Sequence, residues 1–133
     1  MTSKVDYKGE LRTECTHLKS GNTILTDAPT DNHGKGETFS PTDLVATALS
    51  SCMLTVVGIY CNNHNIPFEG ATSEIKKVMA SNPRRISDIE MTLDFSACKF
   101  ENDLHQKIKN VVETCPVQNS IHPDIQVRID YKF

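Results

Sequence analysis

Apolar and polar residues alternate from the start of the chain. Val5, Tyr7, Gly9 and Leu11 interleave with Lys4, Asp6, Lys8, Glu10 and Arg12, the period of a half-buried strand. A turn at Lys19-Ser20-Gly21-Asn22 and a short run Thr23-Ile24-Leu25-Thr26 follow, so the two strands are expected to pair as a hairpin. Residues 27–39 are rich in turn formers and predict a surface loop. Ser40-Pro41-Thr42-Asp43 then carries the signals of a helix start: a capping serine, proline at the first helical position and an acid three residues after the cap.

The run that follows predicts a long helix reaching about residue 63. Leu44, Ala48, Cys52 and Val56 share one line at i, i+4 spacing, with Val45, Leu49, Met53 and Tyr60 beside it. The other side carries Ala46, Thr47, Ser50, Ser51, Leu54 and Gly58, nearly all small, so the helix is expected to be packed on both sides. At roughly 22 residues it would be ~33 Å long. Beyond it, residues 68–79 predict a strand, Asn82-Pro83 a turn, and the alternation of Ile89, Met91, Leu93, Phe95 and Ala97 a second strand. Leu104, Ile108, Val111 and Val112 form the stripe of a helix over about 101–114, which Pro116 ends. Ile125, Val127, Ile129, Tyr131 and Phe133 make the closing strand. The expected order is β-β-α-β-β-α-β, a single α+β domain over residues 1–133.

Composition narrows the function classes. A chain of 133 residues with 38% hydrophobic and 23% charged residues is ordinary globular material. A net charge of −3 gives no electrostatic case for nucleic acid or an anionic membrane. The N-terminal residues lack an apolar signal core, and no stretch of eighteen apolar residues occurs, so a soluble, cytoplasmic protein is expected. Trp is absent, and no Gly-rich phosphate loop, paired carboxylates or Ser-His-Asp arrangement is discernible.

Five cysteines remain: Cys15, Cys52, Cys61, Cys98 and Cys115. Their odd number and spacing do not suit a secreted disulfide scaffold. Cys52 reads either as a core residue of the long helix or as a chemical group. Cys115, immediately before Pro116, reads as the cap of a new helical turn, where backbone N–H groups favour a thiolate. It also prolongs the apolar face of the second helix. Cys61 lies nine positions from Cys52, about 180° around the helix, so those two cannot bridge. Cys15, Cys61 and Cys98 are most simply packing residues.

The segment SPTDLVATALSSCM and the later element Cys115-Pro116-Val117, followed by a closing strand, resemble the OsmC/Ohr family of osmotically inducible and organic hydroperoxide resistance proteins. The resemblance covers nearly the whole chain, including the order of elements and the 63-residue spacing of the two cysteines (115 − 52). It implies an OsmC-like fold assembled as an intertwined homodimer around two long helices. It also implies a thiol-dependent peroxidase that needs no cofactor or metal. Cys52 would attack a small organic hydroperoxide, Cys115 would resolve the sulfenic acid to a disulfide, and an external dithiol would reduce it.

One position departs from the family pattern. The hydroperoxide-resistance branch holds an activating arginine near the first hairpin with a glutamate directly after the proline; here Thr42 follows Pro41 and the acid is Asp43. Asp43 either supports the site or closes a capping box with Ser40. Lys19 and Arg12 are the candidate cations, and lysine lacks arginine's bidentate fork. The alternative function is a catalytically weak or inert dimer that binds a small apolar ligand. A metal protein is the remaining rival, with Cys61-x-x-His64 its nearest ligand spacing.

Overall fold

Positive φ at three successive residues, Gly9, Glu10 and Leu11 (88°, 50° and 62°), turns the first alternating run back on itself. The computed structural model of the chain, which describes residues 1–133, therefore has one strand more than the expected order. β1 (Ser3–Gly9) and β2 (Arg12–His17) are separate strands paired antiparallel, Ser3 opposite His17 and Tyr7 opposite Thr13. The single strand expected through Arg12 is corrected accordingly. A two-residue type I′ turn needs φ > 0 at both central residues, a conformation that Asn-Gly signals and Glu10-Leu11 does not. The hairpin expected around the turn at residues 19–22 is present, between β2 and β3 (Thr23–Asp27), and the sheet order is β1-β2-β3.

The chain divides into two compact units, Met1–Val45 and Ala46–Phe133. In the first, the expected loop is folded on itself. Thr30–Asn32 form a short 3-10 turn, the Pro29 carbonyl accepts from the amides of Asn32 (2.9 Å) and Gly34 (3.0 Å), and the Ala28 carbonyl accepts from Gly36 (3.3 Å). α1 (Pro41–Asn63) then starts on a closed capping box. The Asp43 amide donates to Ser40 Oγ (3.1 Å), and the Ser40 amide donates to Asp43 Oδ2 (2.8 Å).

The second unit holds the rest of α1, then β4 (Thr72–Ala80), β5 (Arg85–Asp94), α2 (Asn102–Val112) and β6 (Gln126–Lys132). β5 is central, antiparallel to β4 and parallel to β6. The alternation read at Ile89, Met91 and Leu93 is the inward row of β5, and Phe95 just beyond it is fully buried. Phe95 packs among the rings of Phe68, Phe100 and Phe133, with centroids 5.6–6.3 Å away. α2 buries Ile108 and Val112 against this core, as its stripe predicts.

The inward face of α1 is rotated from the one expected. Ala46, Leu49, Ser50, Met53, Val57 and Cys61 are buried, whereas Ala48 is exposed and Cys52 and Val56 are only half-buried. With apolar or small residues all round, periodicity alone could not select the face. Ser50 bonds Ser73 of β4 at 2.5 Å, so the polar atom on the buried stripe is satisfied. α1 is long and apolar enough to cross a membrane, yet its Ala46–Cys61 stripe is part of the core around β5. Its remaining face, with Val45 and Ile59 exposed, is open.

Candidate functional site

In the first unit, β2 and β3 are registered so that Arg12 lies directly opposite Asp27. The pair is bidentate: Arg12 Nε donates to Asp27 Oδ1 at 2.7 Å and Nη2 to Oδ2 at 2.8 Å. Arg12 Nη2 also donates to Glu37 Oε2 at 2.6 Å, and the Glu37 amide donates to Asp27 Oδ2 at 3.1 Å. Asp27 is 1% exposed, so its charge is tolerable only because it is paired and hydrogen-bonded. The folded loop brings Glu37 back onto the sheet.

The bond from Arg12 holds the Asp27 carboxyl below its ordinary value, against burial, with the Glu37 amide assisting. Asp27 first, then Glu37, push the guanidinium further up. A carboxyl lowered in the fold contributes stability above its unfolded pKa, near 3.8 here, and loses it as pH falls through the folded value. Asp27→Asn is therefore expected to lower stability at neutral pH and to flatten its pH dependence below about pH 4. Denaturant titrations at stepped pH check this; an unchanged acid limb would show that Asp27 contributes none of it.

Of the two candidate cations, Arg12 is thus the organised one. Lys19 lies in the exposed turn 18–22 and takes no part in this network. Asp43 serves the capping box, and Thr42 Oγ1 is 3.2 Å from Ser40 Oγ at the same helix start. Asp27 and Glu37 were not anticipated. The signal for Asp27 was its position across the hairpin from Arg12, which becomes readable only once the turn at 10–11 is placed.

In the second unit, α1 and the turn after α2 bring Cys52 and Cys115 together. Cys52 is half-buried and Cys115 fully buried, and both are free thiols. Burial first, then a hydrogen bond with Cys52, push the Cys115 thiol up, while the amides of Val117 and Gln118 work in the opposite direction. The expected cap geometry at Cys115 is present. Its carbonyl accepts from the Asn119 amide (3.2 Å) and the Val117 carbonyl from Ile121 (3.1 Å), forming the turn. The thiolate-favouring effect of that turn is outweighed by burial, and Cys115 keeps its proton. Its Sγ also donates to the Leu49 carbonyl at 3.9 Å.

The remaining cysteines sit elsewhere. Cys15 is on β2 opposite Val5 and Ile24, Cys61 is sealed in the core, and Cys98 donates to the Glu69 carbonyl at 3.4 Å. Burial pushes both Cys61 and Cys98 up. His64 stacks on Tyr60 with centroids 4.1 Å apart while Cys61 is buried, and no group of three or more His, Cys, Asp or Glu could hold a metal. Two adjacent thiols, one partly exposed and one buried, can be oxidised to a disulfide, its S–S bond ~2.0 Å long.

Comparison with known proteins gives a consistent result. The model of the OsmC-like protein family matches residues 34–130. The chain is similar to a candidate osmotic stress induced and detoxification response protein from Psychrobacter arcticus. Identity is 49% over 98% of this chain and 95% of that one, with a TM-score of 0.93. It shares the fold of an OsmC organic hydroperoxide resistance protein from Legionella pneumophila (14% identity, TM-score 0.74, 100% and 98% of the two chains). It shares it too with an OsmC-like protein from Mycoplasma pneumoniae (13%, 0.77, 98% and 94%). A search of curated proteins gives no match.

Proposed function

The chain belongs to the OsmC-like protein family, whose structural neighbours include organic hydroperoxide resistance proteins, and on that premise we propose that it is a thiol-dependent hydroperoxide reductase. The observation that carries the reading is the adjacency of Cys52 and Cys115. Cys52 attacks the hydroxyl-bearing oxygen of an organic hydroperoxide; the S–O bond forms, the O–O bond breaks, and the alkoxide leaves as the alcohol after protonation by solvent. The Cys52 sulfenic acid then condenses with Cys115, releasing water and leaving a disulfide. An external dithiol returns both thiols.

The same reading includes a homodimer. The open face of α1 bears a groove of about 460 Å3 lined by Ser51, Leu54, Thr55, Gly58 and Ile59, and the first sheet leaves Val5, Tyr7, Ile24 and Leu25 exposed. Such apolar surface suits burial against a second copy. Arg12 differs from a bare activating cation, because two carboxylates already neutralise it.

Peptide mapping after treatment with excess cumene hydroperoxide tests the function. The expected product is a Cys52–Cys115 disulfide, formed as the peroxide is consumed and reversed by dithiothreitol. If both thiols stay free and the peroxide persists, the enzymatic reading fails and an inert OsmC-like binding protein takes its place.

A further inference from the structure

Cys52 and Cys115 meet solvent differently. Cys52 is half-buried at the border of the α1 stripe: Leu49 and Met53 beside it are sealed, while Ala48 one turn back and the adjacent Ser51 are exposed. Cys115 is 0% exposed and belongs to the hydrophobic core around β5, with its Sγ 3.9 Å from the Leu49 carbonyl oxygen. That burial is complete within one chain. A second copy packed on α1 can take surface from Cys52, but it cannot add any to Cys115.

Thiol–disulfide exchange is a displacement at sulfur, in which the incoming thiolate needs access to the atom it attacks. We propose that the external dithiol attacks the oxidised pair at Cys52, with Cys115 as the leaving group, so that Cys52 carries the reductant as a mixed disulfide. The inference rests on the Cys52–Cys115 cycle proposed above and deepens it. A bond forms between the reductant's sulfur and Cys52 Sγ, and the Cys52–Cys115 bond breaks. Cys115 departs with the electron pair and takes up a proton in place of the one the reductant's thiol gave up. The reductant's second thiol then attacks its own sulfur in the mixed disulfide. That step closes a cyclic disulfide on the reductant and releases Cys52 as a thiol.

Acidity argues for the other sulfur. Burial pushes Cys115 up, and a less acidic thiol leaves more slowly. Access overrides this, because a sulfur closed off by its own core offers no line of approach. The same burial helps one step later, since a protonated Cys115 is a poor nucleophile and does not retake Cys52 from the reductant.

The test starts from wild type oxidised with diamide, which makes the disulfide without a peroxide. Glutathione, a monothiol with no second thiol to release the mixed disulfide, is added; the reaction is quenched in acid and its peptides are mapped. Glutathione is expected on Cys52 over Cys115 by at least ~10-fold. The single variants report the reach of each sulfur directly. Oxidised glutathione should modify Cys52 of Cys115→Ser at least ~10-fold faster than it modifies Cys115 of Cys52→Ser. Equal labelling, or a preference for Cys115, in either experiment overturns the inference while the peroxidase reading stands. If the disulfide opens at Cys52 but no hydroperoxide is consumed, the peroxidase reading fails and the order of exchange holds. Failure of diamide to join Cys52 to Cys115 removes both.

Discussion

Cys52→Ser is expected to consume no hydroperoxide above background, a loss of about a thousand-fold or more, because a serine hydroxyl is not ionised at neutral pH and cannot displace an alkoxide from oxygen. Cys115→Ser is expected to behave differently. It should consume one equivalent per chain in a rapid phase and then stall, with a sulfenic acid on Cys52 that dimedone traps. The asymmetry follows from the site. Cys115 is buried and holds its proton through burial and its bond with Cys52, whereas Cys52 is the half-exposed member of the pair. Stopped-flow consumption with mass spectrometry of the trapped adduct separates the two roles. Full turnover by Cys52→Ser would sink the assignment, and one-equivalent consumption by Cys52→Ser with none by Cys115→Ser would reverse it.

The second large effect is expected at Gly34. A Cβ built there would lie 1.6 Å from the Ala28 carbonyl oxygen and 2.1 Å from its carbon, and both are backbone atoms with nowhere to rotate. Gly34→Ala must therefore open the turn that the Pro29 and Ala28 carbonyls close, at a cost of about 3 kcal/mol or more. The same movement draws Glu37 away from Arg12 and from Asp27, since Glu37 is only three residues along. Gly21→Ala is the comparison: its Cβ meets nothing within 4 Å, so only the positive φ of 75° opposes it, at about 1 kcal/mol. Urea midpoints of the two variants measure the difference. A Gly34→Ala protein as stable as wild type would mean that the loop is not held as described.

The readable parts of the fold are those where one physical signal stood alone. β5 showed clean alternation, α2 carried a single apolar stripe, and the Ser40-to-Asp43 start of α1 is the capping box its residues spell out. The turn at Glu10-Leu11 was silent because neither residue favours the left-handed conformation it adopts, so the alternation ran on through it. α1 was placed correctly along the chain but turned wrongly, since small residues on every side leave burial to tertiary packing. The site divides the same way. The two cysteines stood out through their neighbours Ser51 and Pro116, and Arg12 was one of two candidates. Its partners Asp27 and Glu37 depend on strand register and loop closure, which residue type does not encode.

The parallel pairing of β5 with β6 sets an order of events during synthesis. Translation makes Cys52 sixty-three residues before Cys115 (115 − 52), and the segment carrying Cys115 is a crossover whose far end is anchored only when β6 pairs along β5. Parallel, non-local pairing is among the slower steps a chain performs. A nascent chain thus carries Cys52 on its long helix well before Cys115 is made, and the last of its five cysteines arrives late. An oxidant met in that interval finds Cys52 before Cys115 is in place beside it.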